Sequence, residues 1–159
     1  MVRRADKRRI AAALAGVTAC AACWQWIWER DMDFGGWKLP PYTPSMWWLP
    51  WCWTAAYIAL SLAAYSVAVA GINDNSVCAL RLYIWQIVCT LPLPLFFFRL
   101  DWQPAACVWA ALTTLHATGL LSVFRRVRPI AYLIGLCYLL WIAFSVYWYL
   151  GLYLLNPPA

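Results

Sequence analysis

The sequence predicts an all-α fold, a bundle of five transmembrane helices forming a single membrane domain over residues 1–159. Three observations predict it. Hydrophobic residues make up 65% of the chain and charged residues 11%, whereas an ordinary soluble domain carries about a quarter charged residues. Such a chain cannot clothe its own core with polar groups, so lipid has to cover much of its surface. The apolar residues gather into five runs, each near the length of about 20 residues that a helix needs to cross the hydrocarbon layer. Most of the charges fall between those runs or before the first.

The first run, 10–28, follows the basic cluster Arg3, Arg4, Lys7, Arg8 and Arg9 and closes on Trp24, Trp26 and Trp28. A signal peptide opens in the same way, but this run is long and no small-residue cleavage site follows it, so it reads as a retained helix. Residues 29–46 hold Gly35, Gly36, Pro40, Pro41 and Pro44 and read as a long irregular connection, placed to act as a lid. The second run, 47–70, ends at the turn residues Gly71-Ile72-Asn73-Asp74-Asn75. The third, 77–98, contains Pro92 and Pro94, which predict a kink. The fourth is 104–124. Arg125, Arg126, Arg128 and Pro129 separate it from the fifth, 130–155.

Five spans put the two termini on opposite sides. With the N-terminus in the cytoplasm, that side holds Arg3, Arg4, Lys7, Arg8, Arg9, Arg81, Arg125, Arg126 and Arg128, and the far side holds Arg30, Lys38 and Arg99. Nine cations against three is the bias expected of an inner or plasma membrane protein in this orientation. Basic residues that punctuate apolar runs are not the basic face of a nucleic-acid binder.

Thirteen tryptophans exceed what two interfacial belts require, which leaves some to line a pocket. The seven cysteines are scattered through apolar runs and read as packing residues rather than a disulfide framework. Cys20 and Cys23 form a CxxC pair with no further ligand nearby. The single histidine, His116, lies on an apolar run and reads as a packing residue. Neither a carboxylate pair, a nucleophile triad nor a phosphate loop is recognisable. No catalytic residue, metal site or cofactor is expected.

Residues 37–57 carry the most specific pattern. Pro40, Pro44, Trp47, Pro50, Trp53 and Tyr57 follow one another as Pro-x-x-x-Pro, then Trp, then Pro-x-x-Trp-x-x-x-Tyr, with Trp37 just upstream. Farther on come Ala79-Leu80, Tyr83 and Gln86, then Pro94 with Phe96 and Phe97, then Tyr138-Leu139 with Trp141, and finally Leu155-Asn156. In this order the blocks resemble the TspO/MBR family, the translocator or tryptophan-rich sensory proteins, over roughly residues 37–156. The chain departs from the family pattern at Thr90 and Tyr149, where the family has asparagines, at Leu93 in place of a tryptophan, and at Cys137 in place of a proline. No basic residue follows Arg128 to complete the family's proposed sterol motif.

The resemblance implies a ligand pocket among the helices under the first loop, open to porphyrins and other flat hydrophobic molecules, with Trp53 and Trp141 facing it. An indole offers a stacking face and one N–H donor, which suits such ligands. Spacing puts Pro50, Trp53 and Tyr57 on one face of the second helix, and Tyr138, Trp141, Ser145 and Trp148 on one face of the fifth. By spacing alone these residues serve equally well as packing or lipid-facing aromatics. Gln86, an amide in mid-membrane, faces inward either to a ligand or to another helix. The candidate ligand residues are therefore Trp53, Trp141, Tyr57, Trp47, Pro50, Pro44, Gln86, Tyr138 and Ser145.

The expected function is a membrane sensor, regulator or transporter that binds tetrapyrroles. The resemblance also allows slow tryptophan-dependent porphyrin breakdown, without making the chain a dedicated enzyme. The alternative is a structural or regulatory membrane subunit with a degenerate pocket. The expected partners are a porphyrin or other hydrophobic small molecule, membrane lipids and a second copy of the chain. Ala105, Ala106, Ala110, Ala111 and Gly119 on the fourth helix are small enough to permit close approach in such a homodimer.

Overall fold

Apolar runs in lipid have no water to pair with their backbone, and the helix closes every hydrogen bond within one segment. In a computed structural model, which describes residues 4–30, 34–71 and 73–157, all regular structure among the described residues is helical. The helices are α1 (Arg4–Arg30), α2 (Leu49–Ala70), α3 (Asp74–Thr90), α4 (Pro92–Phe98), α5 (Gln103–Val127) and α6 (Pro129–Leu155). Among the described residues, five segments are long and apolar enough to span a membrane, with α3 and α4 together forming the third. The most extensive packing runs along α5 and α6, α2 and α6, α1 and α2, and α3 and α5.

The helix ends depart from the expected bounds for local reasons. α1 starts six residues early, at Arg4 rather than 10, because Arg, Lys and Ala propagate a helix well and nothing here stops it. Trp47 and Trp48 belong to a turn closed by the Trp48 N–H donating to Ser45 O at 2.8 Å, so α2 begins only at Leu49, with Pro50 in the first turn where its missing N–H is harmless. α3 starts early because of a reciprocal cap. The Ser76 N–H donates to Asn73 Oδ1 and the Asn73 N–H to Ser76 Oγ, both at 2.8 Å. Of the connection expected over 29–46, residues 31–33 lie outside the described residues, as does Arg3 of the basic cluster.

The expected kink in the third span is a break at Leu91. Pro92 and Pro94 offer no N–H, which disturbs the helical ladder just upstream. Indoles from two other helices meet the carbonyls there. Trp109 Nε1 of α5 donates to Cys89 O at 2.7 Å, and Trp24 Nε1 of α1 donates to Leu91 O at 2.8 Å. Elsewhere, hydroxyls tie the bundle together. Thr18 of α1 bonds Ser61 of α2, whose Oγ lies 2.8 Å from the Tyr83 hydroxyl of α3.

The interior contains two apolar clusters. One includes Trp53, Tyr57, Leu60, Tyr83, Tyr138 and Ile142. The other includes Phe34, Leu93, Phe97, Trp148, Tyr149 and Leu152. Trp141 packs against both. Two of the small residues expected to permit close approach of a second chain, Ala106 and Ala110, are fully buried within this one, where they line the second cluster. Ala105, Ala111 and Gly119 are exposed. All seven cysteines are free thiols.

Replacing Trp109 by Phe keeps an aromatic ring but removes its hydrogen bond to the Cys89 carbonyl. A lost hydrogen bond costs about 0.5–1.5 kcal/mol, so Trp109→Phe is expected to lower the thermal unfolding midpoint in detergent. Val108→Ala, at a position of the same helix that is 61% exposed, is expected to change it little.

Candidate functional site

The site is built from α2 and α6, whose inward faces each present aromatic side chains. Trp53 and Tyr57 lie one turn apart on α2 and stack, with ring centroids 5.6 Å apart and planes 30° apart. Trp141 of α6 meets Trp53 edge to face at 5.8 Å and 90°. Tyr138, one turn earlier on α6, lies 6.4 Å from Tyr57. Phe144 stacks on the Trp141 ring at 5.5 Å. Such pairs contribute about 0.5–1.5 kcal/mol each beyond the area they bury, which holds the rings in fixed orientations.

A polar chain runs beside the rings. His116 of α5 donates through Nδ1 to Gln86 Oε1 at 2.6 Å, and Gln86 Nε2 donates to the Tyr138 hydroxyl at 2.8 Å. The Tyr57 hydroxyl donates to Thr90 Oγ1 at 3.3 Å, and Thr90 in turn donates to Ile87 O at 2.8 Å. The amide of Gln86 is thus spent on two helices. In a dry interior these bonds are strong, and leaving one unmade is costly. His116 is satisfied by Gln86, as its reading as a packing residue expects.

The indole N–H of Trp141 is different. It is buried, yet it has no acceptor among the described residues. The same holds for the indole N–H of Trp148, seven residues on. Buried polar groups are nearly always paired, so each such donor calls for an explanation.

Above the second cluster lies the first loop. Phe34 packs edge to face on Trp148 at 6.0 Å, and Trp37 lies 6.1 Å from Phe97 of α4. Asn156, just past the end of α6, holds the loop by both ends of its amide. Lys38 N–H donates to Asn156 Oδ1 at 2.8 Å, and Asn156 Nδ2 donates to Lys38 O at 2.9 Å. The Tyr147 hydroxyl donates to Pro41 O at 2.9 Å. Gly151 makes room for Pro40, because a Cβ at 151 would sit 2.7 Å from Pro40 Cγ.

The sequence of residues 10–154 matches the model of the TspO/MBR family. The chain belongs to the TspO/MBR family. It is accordingly an integral, multi-pass membrane protein. No individual curated protein matches it.

Of the expected site residues, this TspO/MBR chain brings Trp53, Tyr57, Trp141 and Tyr138 into one ring cluster, with Gln86 bonded to Tyr138. Pro50 is buried one turn before Trp53, in the first turn of α2. Ser145 is buried on the inner face of α6, but its hydroxyl turns back to Ile142 O at 2.7 Å. Two residues are not brought in. Trp47 is 87% exposed, in the turn before α2, and Pro44 is half-buried in the loop. Both precede the helix whose inward face carries Trp53, and an exposed indole suits the membrane interface. The residues that the sequence did not mark as site candidates are Phe34 and Phe97. The former lies in the loop with no periodicity to mark it, and the latter is oriented by the proline break. Trp148 was visible on the shared α6 face, ten residues after Tyr138. At the departures from the family pattern, Thr90 supplies a hydroxyl to Tyr57, and Tyr149 packs its ring 5.0 Å from Phe97.

Two variants test the tie between loop and helix. Asn156→Ala removes both bonds to Lys38, and Gly151→Ala pushes a methyl group into Pro40. Each is expected to speed amide exchange at Lys38 by about tenfold, the equivalent of one lost hydrogen bond, while exchange in the α2 and α5 interiors stays unchanged.

Proposed function

We propose that this TspO/MBR protein binds porphyrins or similar flat, hydrophobic tetrapyrrole-like ligands among α2, α5 and α6 beneath the first loop, and acts as a membrane sensor, regulator or transporter. The observation that carries this reading is the Trp141 indole. It sits at the meeting point of two aromatic clusters, edge-on to Trp53, with a buried N–H that lacks an acceptor. A flat conjugated ligand offers both of the things this position lacks, a π-face to stack on the rings and an oxygen to accept the N–H.

The first loop acts as the lid in this reading. Its Phe34 and Trp37 rings cover the second cluster at Trp148 and Phe97, and its hold on Asn156 and Tyr147 is made of a few bonds at the exposed edge. Opening it breaks little, which suits a ligand entrance. The cation bias supports an N-terminus in the cytoplasm, with the loop on the far side. The second reading, a structural or regulatory subunit, is favoured by one observation. The rings of Trp53, Tyr57, Trp141 and Phe144 already fill each other's contacts, as a permanently closed core does.

Titration with protoporphyrin in detergent separates the two. Tryptophan fluorescence is expected to be quenched saturably. The double change Trp53→Phe and Trp141→Phe is expected to weaken binding about tenfold or more, the loss of at least one buried hydrogen bond. Quenching that never saturates, or that the double variant leaves untouched, supports the structural subunit instead.

A further inference from the structure

Trp148 is 2% exposed, and its indole N–H is buried with no acceptor among the described residues. Trp141, seven residues earlier on α6, is half-buried, and its indole N–H is likewise buried with no acceptor among the described residues. Seven residues are close to two helical turns, so the two indoles share a face, with their Cα atoms about 10 Å apart along the axis. Trp141 packs against both aromatic clusters and Trp148 belongs to the second, so the two unmet donors lie along one continuous aromatic interior.

In water an unmet indole N–H costs nothing, because solvent accepts it. Inside a bundle it costs free energy on every turn of the folding equilibrium. Other indoles of this chain avoid that cost. Trp24, Trp26 and Trp109 all donate, to Leu91 O, Thr54 Oγ1 and Cys89 O. Three buried indole N–H groups have no acceptor among the described residues: that of Trp28 near the end of α1, and those of Trp141 and Trp148, which both lie on α6. The loop covers Trp148 with the Phe34 ring, which is a hydrocarbon and accepts no conventional hydrogen bond.

We propose that Trp148 is a second hydrogen-bond anchor of the ligand site, and that the ligand is a flat conjugated molecule with oxygen acceptors, carbonyl or carboxylate, at two separate places, one for each indole. This rests on the reading of the Trp53–Trp141 cluster as a ligand site and adds to it a requirement on the ligand. A purely hydrocarbon ligand of the same shape satisfies the rings and leaves both donors unmet. The acceptor end displaces Phe34 from Trp148, so this ligand competes with the closed loop.

The test compares three probes on the detergent-solubilised protein: protoporphyrin, its dimethyl ester, and an alkyl porphyrin without carboxyl groups. Trp148→Phe is expected to weaken the first two about tenfold, the loss of one hydrogen bond, and to leave the third within about twofold. Replacing Trp148 by β-(3-benzothienyl)alanine removes only the N–H and keeps the bicyclic shape; it is expected to give the same pattern even if the phenylalanine variant folds poorly. Equal loss for all three probes means that Trp148 acts through packing and overturns the proposal. So does an unchanged affinity for all three. If none of the probes binds the unaltered protein, the porphyrin reading itself falls, and this one with it.

Discussion

Inside a bilayer a polar hydrogen has no water to turn to, and this constraint decides what each tryptophan of the chain does. Where prolines break the third span, the indoles of Trp24 and Trp109 reach in from α1 and α5 and donate to the carbonyls at Leu91 and Cys89. Those bonds brace the break just ahead of α4, and α4 carries Phe97 and Phe98 to the rings of Trp37, Trp148 and Tyr149. The break is therefore part of how the second cluster is built. Three buried indole N–H groups, those of Trp28, Trp141 and Trp148, have no acceptor among the described residues, and the last two share one face of α6. The same rule that makes the helix break tolerable makes the two donors on α6 the basis of the proposed ligand site.

The polar groups beside the rings follow the same logic. Gln86 is fully buried, and both ends of its amide are in use, one on His116 and one on Tyr138. It orients Tyr138 more than it offers itself to a ligand. Thr90 stands where the family has an asparagine and still gives Tyr57 an oxygen to donate to. Tyr149 stands at the second such position and fills space with its ring against Phe97 and Trp148. The departures change the chemistry of the wall while the α2–α6 aromatic contact persists.

The five spans were legible because composition and run length alone demand them. Trp53, Tyr57, Tyr138 and Trp141 were legible because their spacing puts each pair on one helix face and the family pattern says that the two faces meet. What the chain could not disclose was which of thirteen tryptophans stay unpaired. The partners of Trp24 and Trp109 lie 67 and 20 residues away, on the backbone beside the proline break. Trp47 looked like a member of the site by its motif position, yet a turn ahead of α2 leaves it in the open. The Asn73–Ser76 cap was present in the sequence as a short polar pair, and the strength of the neighbouring apolar pattern hid it. The clasp of Asn156 on Lys38 joins residues 118 apart, and no local pattern announces it.

The central claim is that the Trp141 indole hydrogen is unpaired until a ligand supplies an acceptor. The direct measurement is the indole 1H–15N resonance of Trp141 in nanodiscs, assigned by its loss in Trp141→Phe. The account predicts a proton position typical of an unbonded indole in the free protein, moving saturably to the bonded range as protoporphyrin is added. A resonance already in the bonded range without ligand, or one that protoporphyrin fails to move, contradicts it.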